Sequence, residues 1–141
     1  MQERYIKWWT PYLSREFEML VFGNGGGLPL IIFPTSFGNY HQNKDFGLID
    51  SVAWFVDNNR VTIYCPDSID LDSFYNKGIH PADRIRTHIA YENVIVRDVF
   101  DFARGAKAAL IASGCAGRVS APITRPILPS GTPIPSVISS V

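Results

Sequence analysis

Ser113, Gly114 and Cys115 follow a small-residue apolar run, Ala108 to Ala112. A strand that ends in a glycine-marked turn is where many acyl-transfer sites present a nucleophile, because the strained turn tolerates only small neighbours. The chemistry would be attack by a serine hydroxyl on an ester carbonyl. A histidine would take the proton, and backbone N–H groups would hold the oxyanion. In the G-x-S-x-G spacing counted from Gly114 the serine belongs at 116, and Ala116 stands there. Arg118 replaces the second glycine, and Pro122, Pro126 and Pro129 exclude the helix that must follow. In the elbow position around Gly114, Cys115 and Ala116 the serine's place is therefore taken by an alanine, which has no nucleophile.

The other half of such a site is legible near the start of the chain. "IIFPTSFGNYH" (31–41) is an apolar strand that runs into a small-residue loop. Backbone N–H groups in such a loop can be left free to serve as half of an oxyanion hole, which makes Ser36, Phe37 and Gly38 the candidate oxyanion loop. An ordinary strand-to-helix connection would look the same, so the loop counts only together with the turn at 113–115. His41, directly after the loop, and Asp67, in the polar stretch "CPDSIDLDSF" (65–74), are candidate pocket-wall residues. Asp67, Asp70 and Asp72 lack the D-x-D-x-D-G spacing and distal Glu of a calcium loop. His41, His80, His88, Cys65 and Cys115 form no short ligand pair, so no metal site is expected. Gly23-Asn24-Gly25-Gly26-Gly27 sits between two strands with no Lys after it, which reads as a turn and not as a phosphate cradle.

The elements that must position these residues are strands and helices in alternation. "RYIKWW" (4–9) and "REFEMLVFG" (15–23) read as a hairpin-like pair, the second with Phe17, Met19 and Val21 on one face. "LPLIIF" (28–33) and "VTIYC" (61–65) read as strands buried on both faces. "GLIDSVAWFVDN" (47–58) has helical spacing at Leu48, Val52, Phe55 and Val56. The stretch 80–105 is the strongest helix, opened by Pro81 and closed by Gly105. Its apolar stripe is Ile85, Ile89, Val96, Val99 or Phe100, and Ala103. "KAALIAS" (107–113) follows as a short strand. The order predicts an α/β fold with a mostly parallel sheet, an antiparallel N-terminal edge and helices on both faces.

Composition narrows the partners. With 13 basic and 13 acidic residues the formal net charge is zero, which argues against a nucleic-acid or anionic-membrane surface. No apolar run approaches the length of a bilayer span, and residues 1–5 have no apolar leader character. Two cysteines without a disulfide framework fit a reduced, cytoplasmic setting. Yet the text changes near residue 115. All eighteen aromatic residues lie at or before Phe102, every Asp and Glu at or before Asp101, and five of ten prolines at or beyond Pro122.

The order and spacing of these segments resemble the esterase D-like group of the α/β-hydrolase superfamily. The resemblance runs from about Tyr5 to Gly114, over "GGGLPLIIFPTSFGNY", "IYCPDSIDLDSFYN" and "HPADRIRTHIAYENVIVRDVFDF". It implies an α/β-hydrolase-type sheet, an esterase of small ester substrates and no cofactor. It also implies a Ser–His–acid triad, none of whose members can be carried onto this chain, and a first oxyanion donor at the Phe37 backbone. The expected division is 1–115 as the N-terminal part of such a domain and 116–141 as an out-of-frame or disordered Pro-rich tail. Read from the third base of each codon into the next two, Ala116 to Thr124 permits G-A-S-F-G-A-Y-H-A, which contains G-x-S-x-G. The expectation is a frameshift just after Cys115, an incomplete sheet and a chain inactive toward esters. Its apolar strand at 107–112 would then be left as an edge prone to self-association. The alternative is a non-catalytic binding or scaffold module derived from the same fold.

Overall fold

The computed structural model describes residues 1–105. Glu3–Thr10 (β1) and Arg15–Phe22 (β2) pair antiparallel, with Glu3 opposite Phe22 and Thr10 opposite Arg15. Leu28–Ile31 (β3) leads through three short helices, Gln42–Asp45 (α1), Leu48–Ser51 (α2) and Ala53–Asp57 (α3), to Val61–Pro66 (β4). Pro81–Asn93 is α4. The strand order is β1-β2-β4-β3, so β4 inserts between β2 and β3. β2 runs antiparallel to β4, and β3 runs parallel to it.

The fold is mixed α/β, but its described sheet departs from the mostly parallel expectation. Two of the three pairings are antiparallel. Only the passage from β3 through α1–α3 to β4 is a crossover long enough to return the chain in the same direction. The strand expected at 107–113, the turn around Gly114, Cys115 and Ala116, and the division at 115 lie outside the described residues.

Successive strand residues point to opposite faces. On one face Leu20, Phe22, Ile63 and Cys65 pack with Ile49 of α2 and Val56 of α3. On the other, Met19, Val21 and Tyr64 pack with Val99 and Ala103. Burial pushes the Cys65 thiol up to about 11, so it stays protonated as a core residue. A third cluster, Phe17, Ile69 and Val94 with Trp8, Leu13 and Tyr91 beside it, fastens the segment after β4 to the hairpin. Among the described residues no helix is long and apolar enough to cross a membrane.

Three local expectations are corrected. The single helix expected over 47–58 is two, because Val52 leaves the helical region at φ −110° and ψ 8°. The Ser51 hydroxyl donates to the Gly47 carbonyl at 2.9 Å, a back-bond that competes with a regular turn. β3 is not buried on both faces: within the described residues it stands at a sheet edge, and Leu28 and Leu30 are exposed. The apolar stripe of the long helix also divides. His80 caps α4 by accepting from the Ala82 N–H at 3.2 Å, but Val94–Val99 is π-helical, with helical turns continuing over 100–105. A π turn spends extra residues per revolution and moves the phase of the helix. Val94, Val99 and Ala103 are buried in consequence, while Ile85, Ile89, Val96 and Phe100 are each at least half exposed.

Candidate functional site

β3 and β4 are parallel neighbours, so their carboxyl ends open on the same side, where open α/β sheets bind ligands. A cleft of about 360 Å³ lies there, lined by Arg15, Phe37, Gly38, Asn39 and residues Asp67–Asp72. Its two walls are the loop after β3 and the loop after β4.

The first wall is held in an unusual shape. The Gly38 N–H donates to the Thr35 carbonyl at 2.8 Å, closing a turn with Ser36 and Phe37 at its centre. Phe37 adopts φ +62°, the left-handed region that costs a residue with a Cβ about 1–2 kcal/mol. Gln42 braces the turn: its Oε1 accepts from the Thr35 N–H at 2.7 Å and from the Thr35 hydroxyl at 2.9 Å. A Cβ on residue 38 would run into the Gln42 side chain, so only glycine leaves room for this brace. The Phe37 ring lies 4.1 Å from that of Tyr75, centroid to centroid. Asn43 of α1 anchors the root of the loop, its Nδ2 donating to the Ile32 carbonyl at 3.3 Å.

The second wall supplies acceptors. Asp70 Oδ2 accepts from the Phe37 N–H at 3.3 Å, and Asp67 Oδ1 from the Tyr40 N–H at 3.2 Å. The Tyr91 hydroxyl, kept protonated by burial, donates to the Asp67 carbonyl at 2.7 Å and ties this wall to α4. Arg15 reaches across to Asp72 at 2.8 Å, an exposed pair that contributes little to stability. Burial raises the Asp67 carboxyl above the usual aspartate range, against the lowering effect of hydrogen bonds from the Ser68 and Tyr40 N–H groups. The native state therefore holds the Asp67 proton more tightly than the unfolded chain. Its contribution favours folding at low pH and is lost as pH climbs from about 3.9 through the raised native value. Asp67→Asn keeps an acceptor for Tyr40 and removes the charge. Comparing urea midpoints of the two proteins from pH 3.5 to 7 should show the variant gaining on wild type with rising pH. A constant difference across that range would count against this account.

Of the residues singled out in the sequence, Phe37, Gly38 and Asp67 line the cleft. Ser36 is exposed and His41 is turned to Asp45, whose Oδ2 lies 2.7 Å from its Nδ1; neither lines the cleft. Asp70 stood in the polar loop expected at a pocket wall, but its contact with Phe37 was not legible, and neither were Arg15, Gln42 and Tyr75 as site residues. Each meets the loop after β3 or the cleft only through the fold, and no spacing in the sequence marks them. Among the described residues no group of three or more His, Cys, Asp or Glu is arranged to hold a metal ion.

No family model matches the chain, and no curated protein matches it in sequence. Among solved structures it is similar to the apoenzyme of S-formylglutathione hydrolase from Staphylococcus aureus, at 12% identity and a TM-score of 0.40. The likeness covers 69% of this chain and 42% of that one, so the chain spans less than half the length of that protein. A likeness this distant says nothing of activity.

Proposed function

We propose that the cleft at the carboxyl ends of β3 and β4 is one half of an acyl-transfer site of the esterase type, its part being the oxyanion donor at the Phe37 N–H. The observation that carries this reading is Phe37 itself. A non-glycine residue is held at positive φ in the loop after a parallel strand, and its N–H is directed at Asp70 Oδ2 in the cleft that both residues line. Strain of this kind is kept where the surroundings over-determine it, and such places cluster at functional sites. The segments "GGGLPLIIFPTSFGNY" and "IYCPDSIDLDSFYN", whose resemblance to the esterase D-like group suggested the activity, form these two walls.

The proposal includes the absence of turnover. Ala116 offers no nucleophile, and a reading frame shifted just after Cys115 would permit the G-x-S-x-G that this frame lacks. The purified 141-residue chain, offered p-nitrophenyl acetate, should release nitrophenol no faster than buffer. Turnover abolished by Ser113→Ala or Ser120→Ala would overturn this part. Resequencing the gene from the Gly105 codon onward tests the frame directly.

A second reading, a non-catalytic binding module, is favoured by the exposed stripe Ile85, Ile89, Val96 and Phe100 on one side of the long helix. Such patches on a stable protein mark interaction surfaces. It expects a defined oligomer in light scattering that Ile89→Glu returns to monomer; a monomer at every concentration removes it.

A further inference from the structure

The donor at Phe37 has one hydrogen, and that hydrogen is already engaged. Asp70 Oδ2 lies 3.3 Å from Phe37 N, inside the cleft that both residues line. Two further amides of the loop are engaged as well. Gly38 N–H is spent on the Thr35 carbonyl within the turn, and Tyr40 N–H on Asp67. Asp70 is itself held in place: its backbone carbonyl accepts from the Ser73 and Tyr75 N–H groups at 3.3 and 3.0 Å, and its N–H donates to the Ser68 hydroxyl at 3.1 Å. Tyr75, in the same turn, stacks on the Phe37 ring. The loop after β4 therefore brings a carboxylate oxygen to the donor with its backbone already ordered, so little further entropy is lost in making the contact.

We propose that Asp70 is a built-in occupant of the acceptor position at Phe37 N–H, an autoinhibitory contact that keeps a carbonyl oxygen from outside off that donor. The inference rests on reading Phe37 N–H as the oxyanion donor. An arriving ester oxygen is a neutral acceptor, whereas Asp70 is a charged one, and charge-assisted hydrogen bonds are the stronger kind. The outside acceptor has to displace it. The competition lowers apparent affinity at this amide by about tenfold or more.

The test uses the full ¹⁵N-labelled chain and methyl acetate as the probe. A neutral ester is chosen so that removing a negative charge does not by itself draw the probe in. The readout is the shift of the Phe37 amide per unit of probe concentration. In Asp70→Ala this slope should be about tenfold steeper than in wild type. Asp70→Asn, which keeps an acceptor oxygen, should stay within a few-fold of wild type. Before probe is added, the Ala substitution should move the Phe37 amide and leave that of Tyr40, bonded to Asp67, in place. If the Phe37 and Tyr40 amides move together, Asp70 is a strut of the loop and the proposal falls. Equal slopes in all three proteins overturn the autoinhibitory contact and leave Phe37 as an accessible donor. No response of the Phe37 amide to probe in any of them removes the donor reading itself, and this inference with it.

Discussion

Gly27→Ala is expected to lower the stability of the chain by about 2–5 kcal/mol, the sum of a left-handed backbone term of about 1–2 and a close-packing term of about 1–3. Gly27 sits just before β3 with φ +73°. A Cβ there would meet the carbonyl carbon and oxygen of Arg60 and the carbonyl oxygen of Asn59, all of them backbone. No side chain can rotate away to relieve the contact. The same place starts the parallel ladder, because the Leu28 N–H donates to the Arg60 carbonyl at 2.8 Å. The two strands cannot separate there without losing that bond and the register of Leu28 on Val61. Gly47 provides the control. It too has positive φ, +75°, but nothing lies within 4 Å of where its Cβ would be. Gly47→Ala should therefore lose the backbone term alone. Urea unfolding followed by tryptophan fluorescence separates the two, and equal losses would mean that the close approach at Arg60 is absent.

Phe17→Ala is expected to lower stability by about 3–5 kcal/mol, the usual range for emptying a buried aromatic site. Phe17 is 1% exposed and lies edge-on to Trp8 at 5.2 Å, with Tyr91 at 6.0 Å and Ile69 and Val94 in the same cluster. The effect should reach the cleft. Ile69 belongs to the wall after β4, and Tyr91 holds that wall through the Asp67 carbonyl. With the ring removed, the near-ultraviolet circular dichroism of Trp8 should weaken along with the drop in urea midpoint. Phe17→Leu, which refills much of the space, should recover part of both. A normal midpoint for the Ala variant would show that the hairpin and the 67–72 loop stand without this cluster.

The carboxyl ends of the two strands that flank the cleft were legible because their signals are local. The end of an apolar strand in Pro34-Thr35-Ser36-Phe37-Gly38, and Asp67 after Pro66, mark the carboxyl ends of two strands wherever those strands sit in the sheet. Ser36 and His41 were plausible for the same reason. They are set apart because Ser36 faces solvent and His41 pairs with Asp45, which residue type does not encode. Asp70 was visible as a polar loop residue and not as the partner of Phe37. The two are separated by 33 positions, and only the parallel pairing of β3 with β4 sets their loops face to face.

The sequence by itself determined the elements whose cause lies within a few residues: the hairpin of β1 and β2, the run that makes β4, and the start of α4 at His80 and Pro81. Tertiary structure decided what those elements meet. It placed β4 against β2 in the antiparallel sense, left Leu28 and Leu30 exposed, and inserted the π turn that puts Val94 and Val99 in the core and Ile85 and Ile89 outside. Periodicity records only that a residue prefers burial. Which face is buried depends on the phase of the helix and on neighbours far along the chain, and both are set when the sheet and helices pack together.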